Sequence, residues 1–180
     1  MITAFIIGCE IGFWVFVIAG LFCRYILKRK KLGAGLLLMT PVVDLALLIA
    51  TLLDLRSGAV ATFVHGIAAV YIGVSIAYGH RMIRWADERF AYRFANGPAP
   101  VKKSKTGPAH ARHERIGWLL HLLAWLIGCA ILYGIILVVD DKTRTEALFN
   151  VVRGWSLILG IDFLVSFSYT LFPRGSKETM

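Results

Sequence analysis

Acidic residues are few in this chain: 11 Asp and Glu stand against 20 Lys and Arg over 180 positions, a formal charge of +9. Cysteine is scarcer, at three. Cys9, Cys23 and Cys129 all fall in apolar runs, with no C-x-x-C pair among them. That argues against a disulfide framework and against zinc-ligand spacing. The thiols are expected to be small packing residues. Catalytic signatures are missing too: no phosphate-binding glycine loop, no nucleophile elbow and no H-E-x-x-H zinc motif. The chain therefore leans away from an enzyme, and no cofactor is expected.

What is plentiful is apolar. Hydrophobic residues make up 58% of the chain, above the roughly 45–50% of soluble domains. They gather in five blocks, about residues 3–27, 34–55, 59–80, 116–139 and 147–172. Each is close to the ~20 residues a spanning helix needs. Strands of a membrane barrel would alternate and be about half as long. The expected fold is all-α: a polytopic bundle of five transmembrane helices forming a single membrane domain.

The positive charge is one-sided. "RYILKRKK" after the first block, the segment 80–115 and the tail "PRGSKETM" hold 16 of the 20 Lys and Arg; the other connections hold only Arg56, Lys142, Arg144 and Arg153. Basic residues resist translocation, so the N-terminus is expected outside and the C-terminus inside. This distribution disfavours nucleic acid as a partner, since topology alone demands it. The first block lacks a positive leader and is followed by its basic cluster, the reverse of a secretory signal. It is expected to remain as a span.

Gly33 and Gly35 suggest a short inner turn, and "DLRSG" at 54–58 a short outer one. Past His80 the helical pattern continues: Ile83, Ala86, Phe90 and Phe94 recur at steps of three and four with Arg81, Arg84, Arg89 and Arg93 between them. This amphipathic stretch either lies on an anionic cytoplasmic leaflet or packs on the bundle. Arg84 and Glu88, four apart, can pair. "NGPAPVKKSKTGPA" at 96–109 has the composition of a flexible basic linker; amphipathic helix and linker together occupy 81–115. No internal repeat links the halves, which disfavours an inverted-repeat transporter within one chain.

Ionisable groups inside the apolar blocks are the candidates for function. At 1.5 Å per residue from the outer helix ends, Asp44 lies about 16 Å deep and Asp162 about 18 Å, near the middle of a ~30 Å core. Glu10 and His65 come out at about 10 Å, with Arg153 slightly shallower. These make a midplane pair and an outer layer. A carboxylate at midplane costs roughly 2.5–3.5 kcal/mol, so Asp44 is expected to face inward and to be mostly protonated. Thr40, Tyr71 or Asp162 would be its hydrogen-bond partners. Asp54 is a surface residue at the turn. Asp44, Asp162, Glu10 and His65 are candidate proton- or ion-binding groups; the plainer reading of each is polar glue between helices.

His80 and His121, near the inner surface, are the only pair that could ligate haem between spans three and four. Interfacial histidines are the ordinary alternative. His110 and His113 form an H-x-x-H too short for a metal site alone. Gly8 and Gly12 make a G-x-x-x-G on span one, and Ala69, Gly73 and Ala77 a small-residue stripe on span three; both suit close helix contact, within one chain or between copies. Pro41 frees a backbone carbonyl near Leu37, one turn from Asp44, and a kink is expected there.

"CEIGFWVFVIAGL", "TPVVDLALL", "HGIAAVYIGVSIAYG", "WADERF" and "TRTEALF" give the chain its resemblance to small bacterial integral membrane proteins of the YmcC type, known mainly as uncharacterised. The resemblance implies a multi-pass protein of the bacterial cytoplasmic membrane. It implies no activity and no catalytic residues. Two classes of function follow. The first is an accessory or structural membrane protein that binds other membrane proteins or copies of itself. The alternative is a small oligomeric transporter or channel moving protons or cations past Asp44.

Overall fold

The computed structural model describes residues 2–94, 97–100 and 107–171; the side chains at positions 2, 3, 6, 10, 30 and 94 lie outside that description. So do two stretches named above, the lysine-rich part of the linker at 101–106 and the tail 172–180. Among the described residues the chain is helical throughout: α1 (Ile2–Tyr25), α2 (Lys30–Arg56), α3 (Phe63–Phe94), α4 (Gly107–Val139) and α5 (Lys142–Leu171). All five are long and apolar enough to cross a membrane. Large apolar side chains such as Ile18, Leu38, Leu137 and Leu164 are exposed along them. Outward-facing hydrocarbon of this extent suits lipid and not water.

Several helix ends differ from their sequence-based bounds. Gly33 and Gly35 lie inside α2, and the turn between α1 and α2 is the segment 26–29. A Cβ at Gly33 would sit 2.6 Å from the Gly20 carbonyl, so this glycine lets α1 and α2 cross backbone to backbone. Helix α3 runs without a break into the amphipathic stretch, reaching Phe94. Helix α4 starts at Gly107, well before 116, because Pro108 falls in the first turn, where its missing N–H costs nothing. Helix α5 starts at Lys142, five residues before 147. Its cap is Asp141, whose Oδ1 accepts from the backbone N–H of Thr143 at 3.0 Å and of Arg144 at 3.2 Å. Hydrogen bonds from the Thr143 hydroxyl and these amides hold the Asp141 carboxyl below the usual carboxylate range.

Helix α3 touches the other four. It divides the bundle into a trio of α1, α2 and α3 and a trio of α3, α4 and α5; the trios also meet lightly between α2 and α4, and the backbones of α1 and α2 do not lie against α5. The seam between α3 and α4 is made by small residues. A Cβ on Gly73 would fall 2.4 Å from the Ala124 carbonyl, and one on Gly128 would meet the Trp155 ring. The stripe Ala69–Gly73 is therefore spent inside the chain. The main buried cluster, with Leu55, Leu132, Leu148 and Val151 among its members, sits toward the end where α2 meets α3 and α4 meets α5. Arg144 clasps that end. Its guanidinium donates to the carbonyls of Ala59, at 3.0 and 3.1 Å, and of Leu55. A cation on the last carbonyls of α2 also complements the helix dipole.

Candidate functional site

Pro41 cannot donate to Leu37, and the Thr40 hydroxyl takes that carbonyl instead, at 2.8 Å. The freed backbone oxygen is thus already satisfied. One turn on, Asp44 points between α1 and α3. It is buried, 6% exposed, and about 18 Å along α2 from Arg56 at 1.5 Å per residue. The Ser75 hydroxyl donates to its Oδ2 at 3.1 Å. No Lys or Arg pairs with it among the described residues. The carboxyl borders a cavity of about 100 Å³ walled by Cys9, Phe13 and Trp14 from α1, Val43 and Leu47 from α2, and Tyr71 and Ser75 from α3. Helix α1 lies along α2 and touches α3 only lightly. That leaves a wedge whose rim residues Trp14 and Tyr71 are exposed on the outer face of the bundle.

Asp162 is elsewhere. Helix α5 begins early, so Asp162 lies about 30 Å from Lys142 along the helix, far beyond the depth expected for it. There it meets His121 of α4, itself about 27 Å from Val139. His121 Nδ1 and Asp162 Oδ2 are 2.7 Å apart, and the Trp155 indole donates to His121 Nε2 at 3.0 Å. An indole N–H can only donate, so Nε2 holds a lone pair. The proton is then on Nδ1 and is given to Asp162. The tautomer follows from the partners alone. The Trp118 and Trp125 indoles also bridge α4 and α5, donating to the Leu159 carbonyl at 3.3 Å and to Ser156 Oγ at 3.0 Å. Asp44 and Asp162 do not form the midplane pair expected of them: Asp44 bonds Ser75 of α3, Asp162 bonds His121 of α4, and the α2 and α5 backbones do not lie against each other.

His65 is a capping residue. Its Nδ1 accepts from the Thr62 backbone N–H at 2.9 Å and lies 2.8 Å from the Thr62 hydroxyl. Thr62-x-x-His65 is a capping box with histidine in the place of glutamate. His65 Nε2 faces the Asp54 carboxylate at 3.3 Å, off line for a hydrogen bond. Asp54 is accordingly a partly buried partner and not a free surface residue. Glu10 is in α1, but its side chain lies outside the described residues; Arg153 is exposed on α5, a helix that α1 does not reach. His80 is exposed, and both ring nitrogens of His121 are engaged. The one lone pair of the His121 ring, on Nε2, is taken by the Trp155 indole, so as arranged it is not free for an iron, which counts against the haem-ligand reading of the pair. Among the described residues no three His, Cys, Asp or Glu stand together as a metal group.

One cluster escaped sequence reasoning. Asp87, within "WADERF", pairs with Arg24 at 3.0 Å and accepts from the Tyr25 hydroxyl, while the Tyr25 and Phe90 rings pack at 5.4 Å. The C-terminal extension of α3 is thereby pinned to the end of α1. Its opposite side exposes Met82, Trp85 and Tyr92, with the Arg89 guanidinium 4.4 Å over the Trp85 ring. Arg84 and Glu88 form the expected pair at 3.5 Å. A partner for Asp87 was signalled only by its being one of two acids inside a basic, amphipathic segment.

No protein-family model matches the chain, and no solved structure matches it. A curated protein of Bacillus subtilis (strain 168), the "Uncharacterized membrane protein YmcC", is 51% identical over 175 residues, which cover 97% of this chain and 94% of that one. Identity at that level across nearly the full length of both, together with five apolar helices, shows that the chain belongs to the YmcC family of multi-pass membrane proteins.

Proposed function

We propose that this protein is a small proton- or cation-coupled carrier or channel of the bacterial cytoplasmic membrane, with Asp44 as its binding group. The observation that carries this reading is a buried carboxyl that, among the described residues, has one hydroxyl partner and no basic one and borders a cavity inside the span. A structural aspartate is expected to have its lone pairs used by a neighbouring helix or an arginine; among the described residues Asp44 has the Ser75 hydroxyl alone and borders the cavity. The test is proton entry into proteoliposomes loaded with a pH-sensitive dye. Wild-type protein should dissipate an imposed gradient. Asp44→Asn, isosteric but unable to bind a proton or a cation, should abolish the flux with thermal stability in detergent nearly unchanged. Equal flux from both proteins would sink the proposal.

A second reading, an accessory protein docking through α1, is favoured by a separate observation. A Cβ on Gly8 or Gly12 would meet nothing within 4 Å. This G-x-x-x-G is unused by the chain's own packing and free for another helix. Under that reading, Gly12→Leu should strip a co-purifying protein or a second copy from the complex isolated in mild detergent. An unchanged complex would count against it. In either case the basic end is proposed to face an anionic cytoplasmic leaflet.

A further inference from the structure

A carboxyl in a membrane-embedded cavity can serve protons, metal cations or organic cations, and the walls decide which. A hard metal cation needs a shell of oxygen ligands, six to eight in the case of calcium. Around Asp44 the side chains supply the carboxyl, the Ser75 hydroxyl and the Tyr71 phenol; the rest is carbon, indole and a thiol. An ammonium group needs something different: one anion for charge balance and aromatic faces around its methyl or methylene shell. Phe13, Trp14 and Tyr71 line the same cavity as Asp44. The size agrees. A cavity of about 100 Å³ is smaller than the ~150 Å³ that takes a benzene ring, so a compact headgroup seats against Asp44 with part of it in the open wedge, and its tail stays outside. The wedge between α1 and α3 is open where Trp14 and Tyr71 are exposed, so a tail can lie outside among the acyl chains. A phospholipid amine is excluded by depth, since Asp44 lies about 18 Å from the end of α2.

We propose that the Asp44 cavity is a binding site for monovalent organic cations, compact ammonium headgroups bearing an apolar tail, that enter sideways from the bilayer. It rests on the reading of Asp44 as a cation-binding group and adds the ligand class: Asp44 balances the charge, and the rings of Phe13, Trp14 and Tyr71 select an organic cation over sodium.

The test is equilibrium dialysis of the full chain in detergent with radiolabelled hexyltrimethylammonium, whose charge does not depend on pH. The wild type should bind it saturably, without competition from hexanol or from sodium at equal concentration. Asp44→Asn and Trp14→Leu should each weaken binding about tenfold or more. Trp14 is on the exposed face of α1, so its replacement leaves the bundle's packing intact, and elution volume verifies folding of both variants. Absence of saturable binding, equal binding by Asp44→Asn, an unaltered Trp14→Leu, or displacement by sodium would each overturn the assignment. The two proposals separate cleanly. Asp44-dependent proton flux without ammonium binding removes the organic-cation site and leaves the carrier. Asp44-dependent ammonium binding with flux indifferent to Asp44 keeps the site and removes the carrier.

Discussion

Individual polar residues in this bundle are defined by what takes their hydrogen bonds, and their sequence neighbours say little about it. His121 shows this best. From sequence it is an interfacial histidine with a potential iron-binding nitrogen; in the fold it is locked between an obligate donor, Trp155, and an acceptor, Asp162, which lie 34 and 41 residues away. Nothing local announces such partners, because they depend on which faces of α4 and α5 meet. The same holds for Ser75, which serves Asp44 from 31 residues away, where Thr40, Tyr71 or Asp162 was the expected partner. Thr62 and His65, by contrast, were legible in principle, as a capping box read with histidine substituted at its fourth position. The His121 tautomer is checkable. In nitrogen-15 spectra of labelled protein, His121 should show a protonated Nδ1 and a bare Nε2. Asp162→Leu should leave that N–H without an acceptor, abolish the preference, and lower stability by about 1–3 kcal/mol. A wild-type spectrum with the proton on Nε2 would refute the network as described.

At the scale of elements, hydropathy marked all five helices, because a run of some 20 apolar residues leaves no other way to satisfy the backbone in lipid. The ends were harder, for identifiable reasons. Lys142, Thr143, Arg144 and Glu146 are polar and look like loop, yet they are the first turn of α5, capped by Asp141 and aimed at the carbonyl end of α2. Missing that turn accounts for about 7.5 Å of the roughly 12 Å by which Asp162 lies deeper than expected, and the shallow placement created an Asp44–Asp162 pair that the fold does not contain. Glycine roles were likewise ambiguous, since G-x-x-x-G and A-x-x-x-G look alike whether the facing helix belongs to the same chain or to another. The structure separates them, and a matched pair of substitutions tests the separation. Gly73→Ala drives a methyl to 2.4 Å from the Ala124 carbonyl and should destabilise the bundle by about 1–3 kcal/mol, as overpacking does. Gly8→Ala meets open space and should leave the melting temperature in detergent unchanged or slightly raised. Equal effects of the two would mean that the α3–α4 crossing is not as close as described.

For the whole molecule, the fold supplies an axis that the sequence supplied only as a charge count. One end gathers the α2–α3 loop, the α4–α5 turn and the Arg144 clasp; the other gathers the α1–α2 turn, the extension of α3 and the start of α4. Arg24, Arg81, Arg84, Arg89, Arg93, Arg112 and Arg115 all belong to the second end, whereas the cations of the first are Arg56, Lys142 and Arg144. Insertion responds to basic residues flanking spans and not to net charge, so this asymmetry predicts an orientation with the second end in the cytoplasm. The exposed Trp85 under the Arg89 guanidinium suits a headgroup layer rich in anionic lipid. The prediction is tested by cysteine accessibility in intact cells, on a background with Cys9, Cys23 and Cys129 replaced by alanine or serine. Ser57→Cys, in the exposed α2–α3 turn, should react with a membrane-impermeant maleimide from outside. Ser104→Cys should react only after lysis. The opposite pattern would invert the molecule. The Asp44 wedge would then still lie within the span, but its ~18 Å separation from the end of α2 would be measured from the cytoplasm, and any gradient-driven movement through it would have to be assigned the other direction.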